Sequence, residues 1–370
     1  MQLEKLWDFQ SNEQLLGFAL KPTNNNKNNN TIAYSKTGKI LILSSEGNLL
    51  FKDQITQKSP IWNALIFDID NDGRDELLFG GMDGLLRVFK YNEVSKLEPF
   101  WSHKFGNSVS GILVDDINND GIYEIISYSL DRSLRVLSPF DGSLIWGQLF
   151  EDGISDATIW KNPKDFNEIE IIACSNDGTL RIFDNENGKL LWFKKYSNKM
   201  RCISYLESIK GVFIICGGDD KKLHFIDKNT QNEIKTLKLD NYVWKCVTFP
   251  NEIKKYVAAS TYSFAHFNKT STERTEFSSK MIFIDENLDL KWELKNKNIE
   301  SISPIDLNNE NFILLGTTKG ELLILEITQG KIMSFIKNET SLNDIKYEPR
   351  DNLVMTCHDN GAVFTFRLKY

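Results

Sequence analysis

Residues 77–90 read LLFGGMDGLLRVFK. Two apolar runs flank a short turn built on Asp83-Gly84. An Asp-Gly pair supplies positive φ at little cost, which tight antiparallel hairpins require. The phrase returns as IISYSLDRSLRVLS (125–138), IIACSNDGTLRIFD (171–184) and FIICGGDDKKLHFID (213–227). Later copies are ILLGTTKGELLILE (313–326) and VMTCHDNGAVFTFR (354–367). A weaker copy stands first, IAYSKTGKILIL (32–43), and another is split into YVAAS (256–260) and KMIFID (280–285).

Taking Gly38, Gly84, Arg132, Gly178, Lys221, Lys280, Gly320 and Gly361 as the turn positions gives eight copies at steps of 40 to 59 residues. That period is the size of a four-stranded propeller blade. The strands are short and rich in Ile, Leu, Val and Phe, as sheet interiors demand. A fourth strand follows most hairpins and often ends in Trp: LEPFW (97–101), SLIW (143–146), KLLW (189–192) and LDLKW (288–292). The opening LEKLW (3–7) matches this last strand rather than a first one, while AVFTFRLKY at the C-terminus lacks its own. The expectation is an all-β chain, 1–370, forming a single propeller of eight four-stranded blades. Seven is the alternative, because copies 1 and 6 are degenerate. Residues 4–9 should complete the last blade beside 362–367, which removes two exposed sheet edges.

The 370 residues carry 44 Lys+Arg against 51 Asp+Glu, a net charge of −7. The balance is acidic and no basic cluster occurs, which argues against a nucleic-acid partner. No stretch of 18 apolar residues is present, so no membrane insertion is expected. The five cysteines are Cys174, Cys202, Cys216, Cys246 and Cys357. Odd in number and set mostly in apolar runs, they suit buried thiols in a reducing compartment. The start MQLEKLWDFQ lacks the pattern of a signal peptide, and the expected location is the cytoplasm. Two insertions interrupt the repeat. KPTNNNKNNN (21–30) is a low-complexity loop. TYSFAHFNKTSTERTEFSSK (261–280) extends the blade 6 hairpin and carries Tyr262, Phe264 and Phe267.

Two loops between first and second strands carry spaced oxygens. Blade 2 has Asp68, Asp70, Asp72, Gly73 and Glu76; blade 3 has Asp116, Asn118, Asp120, Gly121 and Glu124. Alternate carboxylates in a tight loop aim oxygens at one centre, the glycine permits the bend, and the later Glu closes the shell. With a backbone carbonyl from Arg74 or Ile122, this is what a hard cation such as Ca²⁺, or Mg²⁺, requires. The same residues also cap backbone N–H groups without any metal. No organic cofactor is expected.

The pattern D-x-D-x-D-G-x-x-E-L (68–77) resembles the calcium loop of FG-GAP repeats, as in integrin alpha chains. Those repeats usually place Asp where Glu76 and Glu124 stand. The run DELLFGGMDGLLRVF (75–89) is similar to intracellular FG-GAP/WD-like propellers of the Bardet–Biedl trafficking complex and of KICSTOR-type nutrient-signalling scaffolds. The phrase D-G-x-L-x-W (141–146) is similar to PQQ-type repeats. The likeness covers nearly the whole chain as fold and is motif-specific only in blades 2 and 3. It implies a subunit of a trafficking or signalling assembly.

Catalytic patterns are absent. The four histidines are scattered, and no H-E-x-x-H, G-x-S-x-G, P-loop or C-x-x-C occurs. His224 and His358 fall on strands as structural residues. A propeller places the start of each first strand at one mouth of its central channel. Trp62, Asn63, Ser110, Asp156, Met200, Arg201, Trp244, Lys245 and Glu300 should sit there, beside Tyr262, Phe264 and Phe267. Trp and Arg are common interface anchors; the plainer reading has Trp62 and Trp244 plugging the channel as core. The leading expectation is a non-catalytic scaffold for a protein or peptide partner within a multiprotein complex. The alternatives are a ligand-binding or PQQ-like catalytic propeller using the channel, and a calcium-responsive module.

Overall fold

The computed structural model describes residues 1–20, 30–92, 96–249, 255–262, 279–307 and 310–369. Among them are thirty-two β-strands and no helix, sorted into eight four-stranded antiparallel sheets. The fold is an eight-bladed β-propeller, and the seven-blade alternative falls. Strand β1 (Gln2–Gln10) stands apart from its sequence neighbours, as described below. The chain divides into two compact units.

The first unit comprises Met1–Ala173, Arg181–Phe193 and Asn343–Tyr370. Blade 1 is β2 (Leu15–Leu20), β3 (Thr31–Ser35), β4 (Lys39–Leu43) and β5 (Leu49–Gln54). Blade 2 is β6 (Ile61–Phe67), β7 (Glu76–Gly81), β8 (Leu85–Asn92) and β9 (Lys96–Lys104). Blade 3 is β10 (Val109–Asp115), β11 (Glu124–Ser129), β12 (Ser133–Leu137) and β13 (Leu144–Leu149). Blade 4 is β14 (Ile154–Asn162), β15 (Asp165–Ser175), β16 (Thr179–Asp184) and β17 (Leu190–Lys195).

The second unit comprises Cys174–Leu180 and Lys194–Leu342. Blade 5 is β18 (Met200–Ser208), β19 (Gly211–Gly218), β20 (Lys222–Asp227) and β21 (Glu233–Lys238). Blade 6 is β22 (Tyr242–Thr248), β23 (Val257–Tyr262), β24 (Lys280–Ile284) and β25 (Leu290–Lys295). Blade 7 is β26 (Ile299–Leu307), β27 (Glu310–Thr317), β28 (Glu321–Glu326) and β29 (Ile332–Lys337).

Blade 8 returns to the first unit with β30 (Leu342–Glu348), β31 (Leu353–His358) and β32 (Ala362–Lys369). Its fourth strand is β1, paired antiparallel to β32 from Gln2↔Lys369 to Gln10↔Ala362. The closure read from LEKLW therefore holds and runs longer than residues 4–9. It places the two terminal strands side by side, so that β1 covers an edge of β32.

The core lies between neighbouring blades. In the first unit one cluster joins blades 8 and 1 through Leu15, Phe18, Leu41, Cys357 and Val363. The next joins blades 1 and 2 through Ile32, Ile42, Leu77 and Phe79, and others follow between 2 and 3 and between 3 and 4. In the second unit the same layering links blades 5 and 6 and then 6 and 7. Second and third strands are buried on both faces, which explains their unbroken apolar runs.

Repeated polar staples order the turns. Asp83 pairs with Arg87 at 2.5 Å and Asp131 with Arg135 at 3.1 Å, four residues on across the hairpin. Arg135 then lies 4.4 Å over the ring of Phe105 at the end of the preceding blade, and Arg181 lies 4.1 Å over Phe150. His224 takes this place in blade 5. It is buried between Asp220 and Glu233, each 2.8 Å away, and its ring packs on Tyr196. The structural roles expected for His224 and His358 hold, both being buried.

Candidate functional site

The first strands share a local irregularity that decides which side chains reach solvent. Register shifts occur between Leu15 and Gly17, Ile61 and Asn63, and Val109 and Gly111. In the second unit they fall between Met200 and Cys202, Val243 and Lys245, and Ile299 and Ser301. A bulge leaves one residue unpaired and re-aims its side chain. The bulged residues include Trp62 and Ser110, then Arg201, Trp244 and Glu300. All five belong to the mouth positions read from the sequence.

In the first unit Trp62 is 46% exposed, so it does not plug a core. Asn63 donates its amide to the Ser110 carbonyl at 2.8 Å, fixing the bulge of the next blade. Asp156 accepts from the Tyr128 hydroxyl at 3.2 Å. In the second unit Arg201, Trp244, Lys245 and Tyr262 come together. The Arg201 guanidinium lies 5.3 Å over the Trp244 ring and binds Asp219 in a two-point ion pair. The Trp244 and Tyr262 rings stand 5.5 Å apart, tilted by 37°. Burial, with Glu300 beside it, pushes the Tyr262 phenol up to about 12. Lys245 donates to the Glu300 backbone carbonyl. Phe264, Phe267 and residues 21–29 of the Asn-rich loop lie outside the described residues.

A cavity of about 680 Å³ opens among the first strands of the first unit. Leu20, Leu65, Phe67, Leu113 and Ile159 line it, with Lys346 and Glu348 at its border. No histidine is among its lining residues, and Glu348 is the one carboxylate there.

The two acidic loops differ in their interiors. In both, carboxylates cap backbone N–H groups. Asp68 accepts from Gly73 at 3.0 Å, Asp72 from Arg74 at 2.8 Å and Glu76 from Ile69 at 3.0 Å. In blade 3, Asp116 accepts from Gly121, Asp120 from Ile122 and Glu124 from Ile117. Blade 2 has oxygens to spare. Asp68 Oδ1 and Glu76 Oε1 are buried without a hydrogen-bond partner, and Glu76 is wholly buried. Ligand oxygens of Asp68, Asp70 and Glu76 lie within 4.8 Å of one another. Burial raises Glu76 to about 7, the Asp70 and Asp72 charges adding to the rise, and burial likewise pushes Asp68 up. A crowded carboxylate cluster with one wholly buried member has the donor set that could hold a divalent cation. In blade 3 the Asn118 amide fills the centre, donating to Asp120 at 3.0 Å and to Glu124 at 3.1 Å. The two loops share a sequence pattern and differ in what stands between their carboxylates.

The residue that reasoning from sequence missed here is Lys90. It pairs in register with Glu76, and its ammonium reaches Asp70 and Asp72, each at 2.8 Å. Those two hydrogen bonds hold the ammonium above its ordinary range, and the one from Lys90 brings Asp72 down. The signal available was a basic residue on the third strand, opposite the last acid of the motif.

Comparison with known proteins agrees with this architecture. Residues 68–127 match the FG-GAP-like repeat family, and residues 139–277 match the lambda-carrageenase beta-propeller domain family. No curated protein matches the chain. Among solved structures, Saccharomyces cerevisiae Sqt1 is similar at a TM-score of 0.79 and 10% identity, each chain covered over 100%. The computationally designed Ika8 protein has a TM-score of 0.73 at 13% identity, covering 99% of this chain and 100% of its own. BamB from Moraxella catarrhalis has 0.66 at 13%, again with 99% and 100% coverage. These likenesses show the fold alone. The class they define with the sheets is an eight-bladed β-propeller that carries an FG-GAP-like repeat in blades 2 and 3.

Proposed function

We propose that this chain is a non-catalytic scaffold that presents its bulged first-strand residues to a protein or peptide partner, as a subunit of a larger trafficking or signalling assembly in the cytoplasm. The observation that carries the reading is the bulge at Trp62, which leaves a large indole 46% exposed on a strand whose other residues are buried or half-buried. Trp, Tyr and Arg are the residues that usually anchor interfaces. In the second unit, Arg201, Trp244 and Tyr262 supply such a group. The five buried free thiols suit a reducing compartment.

The test is affinity capture from native cells followed by quantitative mass spectrometry. Trp62→Ala, Arg201→Ala and Trp244→Ala should each lose partners that the wild-type chain retains while keeping its melting temperature. Retention of every partner by all three variants sinks the reading.

A second reading is favoured by the two orphaned oxygens of Asp68 and Glu76. Ca²⁺ or Mg²⁺ would sit in the blade 2 loop, held by Asp68, Asp70 and Glu76, and would stiffen that loop rather than take part in chemistry. Raising Ca²⁺ to the millimolar range should raise the melting temperature, and Asp68→Asn should abolish the rise.

A further inference from the structure

The blade 2 loop already contains a cation of its own. Lys90 Nζ hydrogen-bonds Asp70 Oδ2 and Asp72 Oδ2 at 2.8 Å each and stands 3.9 Å from the buried Glu76 Oε1. The loop holds four carboxylates, those of Asp68, Asp70, Asp72 and Glu76, and the ammonium hydrogen-bonds two of them. It reaches neither Asp68 Oδ1 nor, at hydrogen-bonding distance, Glu76 Oε1. A divalent ion collecting oxygens from Asp68, Asp70 and Glu76 would have to share Asp70 with this ammonium. Two cations a few ångströms apart in a partly buried site repel strongly. The Phe100 ring, 4.6 Å from Nζ, adds a cation–π contact to these two hydrogen bonds.

The sister loop shows the alternative. In blade 3 the third strand ends at Leu137, paired with Ile125, and the residue that follows it is Ser138 rather than lysine. There the Asn118 amide bridges the acids instead of a charge. Two loops of one motif are thus closed by different means.

We propose that Lys90 is the tethered counter-cation of the blade 2 loop, and that a divalent cation enters this loop only by displacing its ammonium. The proposal rests on the reading of that loop as a cation site. It makes occupancy of the loop a competition between an internal lysine and an external ion, so Lys90 sets the concentration at which the loop responds.

The experiment compares wild type, Lys90→Met and Lys90→Arg by thermal melting in EDTA and by calcium titration calorimetry, with Asp68→Asn as the control that silences blade 2. Lys90→Met keeps the apolar stem and removes the charge; Lys90→Arg keeps a charge and guards against effects of the stem. In EDTA, Lys90→Met should melt about 3 °C lower than wild type. Calcium should bind Lys90→Met at least about tenfold more tightly than wild type and restore the loss. Lys90→Arg should stay near wild type in both measurements. An unchanged melting temperature for Lys90→Met in EDTA overturns the counter-cation role. Calcium affinity equal to or weaker than wild type overturns displacement. If Lys90→Met is destabilised in EDTA but neither calcium nor magnesium binds any variant, the cation-site reading has failed and displacement falls with it. That pattern is distinguishable from the other two.

Discussion

The Trp7 indole donates its N–H to the Ser45 carbonyl at 2.8 Å, 38 positions along the chain. Trp101 does the same to Pro139 and Trp146 to Asn185, at separations of 38 and 39. In the second unit Trp292 repeats it with Ile327 at a separation of 35. Each indole lies on a fourth strand and reaches the turn between third and fourth strands of the next blade. Trp7 obeys this rule from the other end of the sequence, because β1 is the fourth strand of blade 8. Replacing Trp7 with Ala removes the hydrogen bond and half-buried ring together and should cost about 2–3 kcal/mol in urea unfolding. Deleting residues 1–10 should cost much more, since it also uncovers the β32 edge. An unchanged melting temperature after that deletion would show that β1 does not hold the fold closed.

The same indoles restrict the glycines beneath them. Gly142 has φ +67, and a Cβ there would meet the Trp101 ring at 2.4 Å. Gly73, in the blade 2 acidic loop, has φ +84 with nothing within 4 Å. Both conformations disfavour a side chain, but only one also lacks the space. Gly142→Ala should therefore lose roughly 2–4 kcal/mol, strain and overpacking combined, and Gly73→Ala only about 1. Equal losses in chemical denaturation would deny the packing role of Trp101.

Blade 5 supplies the pH dependence. Burial alone would raise Glu233, but hydrogen bonds from His224, Lys194 and Thr236 outweigh it and bring the carboxyl from its ordinary 4.5 down to about 2. A depressed carboxyl contributes stability above its unfolded value and loses it as pH falls through the folded one. The contribution is present above about pH 4.5 and fades toward pH 2. Glu233→Gln should lower stability by about 2 kcal/mol at pH 7 and by little at pH 2, flattening the acid limb. A parallel shift of the whole curve would mean that the charge of Glu233 is not what the network uses.

Much of this was readable because the repeat is written in residues with narrow physical roles. Asp83-Gly84 marks a turn, and the Trp within a fourth strand marks that strand, which is how LEKLW disclosed the closure. The mouth positions were read from strand position, and Trp62, Ser110, Arg201, Trp244 and Glu300 each fall at a first-strand bulge. Other features needed three dimensions. Register alone brings Lys90 opposite Glu76, since they lie in different strands and the motif ends before Lys90 begins. The contrast between the acidic loops depends on where one Asn118 amide points, which the shared pattern hides. The Asp131–Arg135 staple closes within one hairpin, yet the cation–π partner of Arg135, Phe105, comes from the preceding blade. Trp62 had two readings because an indole at a strand start suits both a plug and an anchor; the bulge decides for exposure.

The acidic loops are also joined to each other. Asn71 donates its amide to the Gly121 carbonyl at 2.6 Å, and Asn119 repeats the contact with Phe166 at 2.7 Å. Both asparagines have positive φ, 56° and 59°, a conformation Asn tolerates better than most residues. The contact from Asn71 lands on the same glycine whose N–H binds Asp116. Ordering of the blade 2 loop should therefore be felt in blade 3. Asn71→Gly keeps the backbone conformation accessible while removing the amide, so any effect belongs to the hydrogen bond. Global stability should fall by about 0.5–1 kcal/mol, as for one exposed bond. The sharper readout is local: hydrogen exchange at Asp120, Gly121 and Ile122, whose N–H groups bind the Asp116, Asn118 and Asp120 side chains, should quicken several-fold. Unaltered exchange at those three amides would mean that each loop orders itself independently of its neighbour.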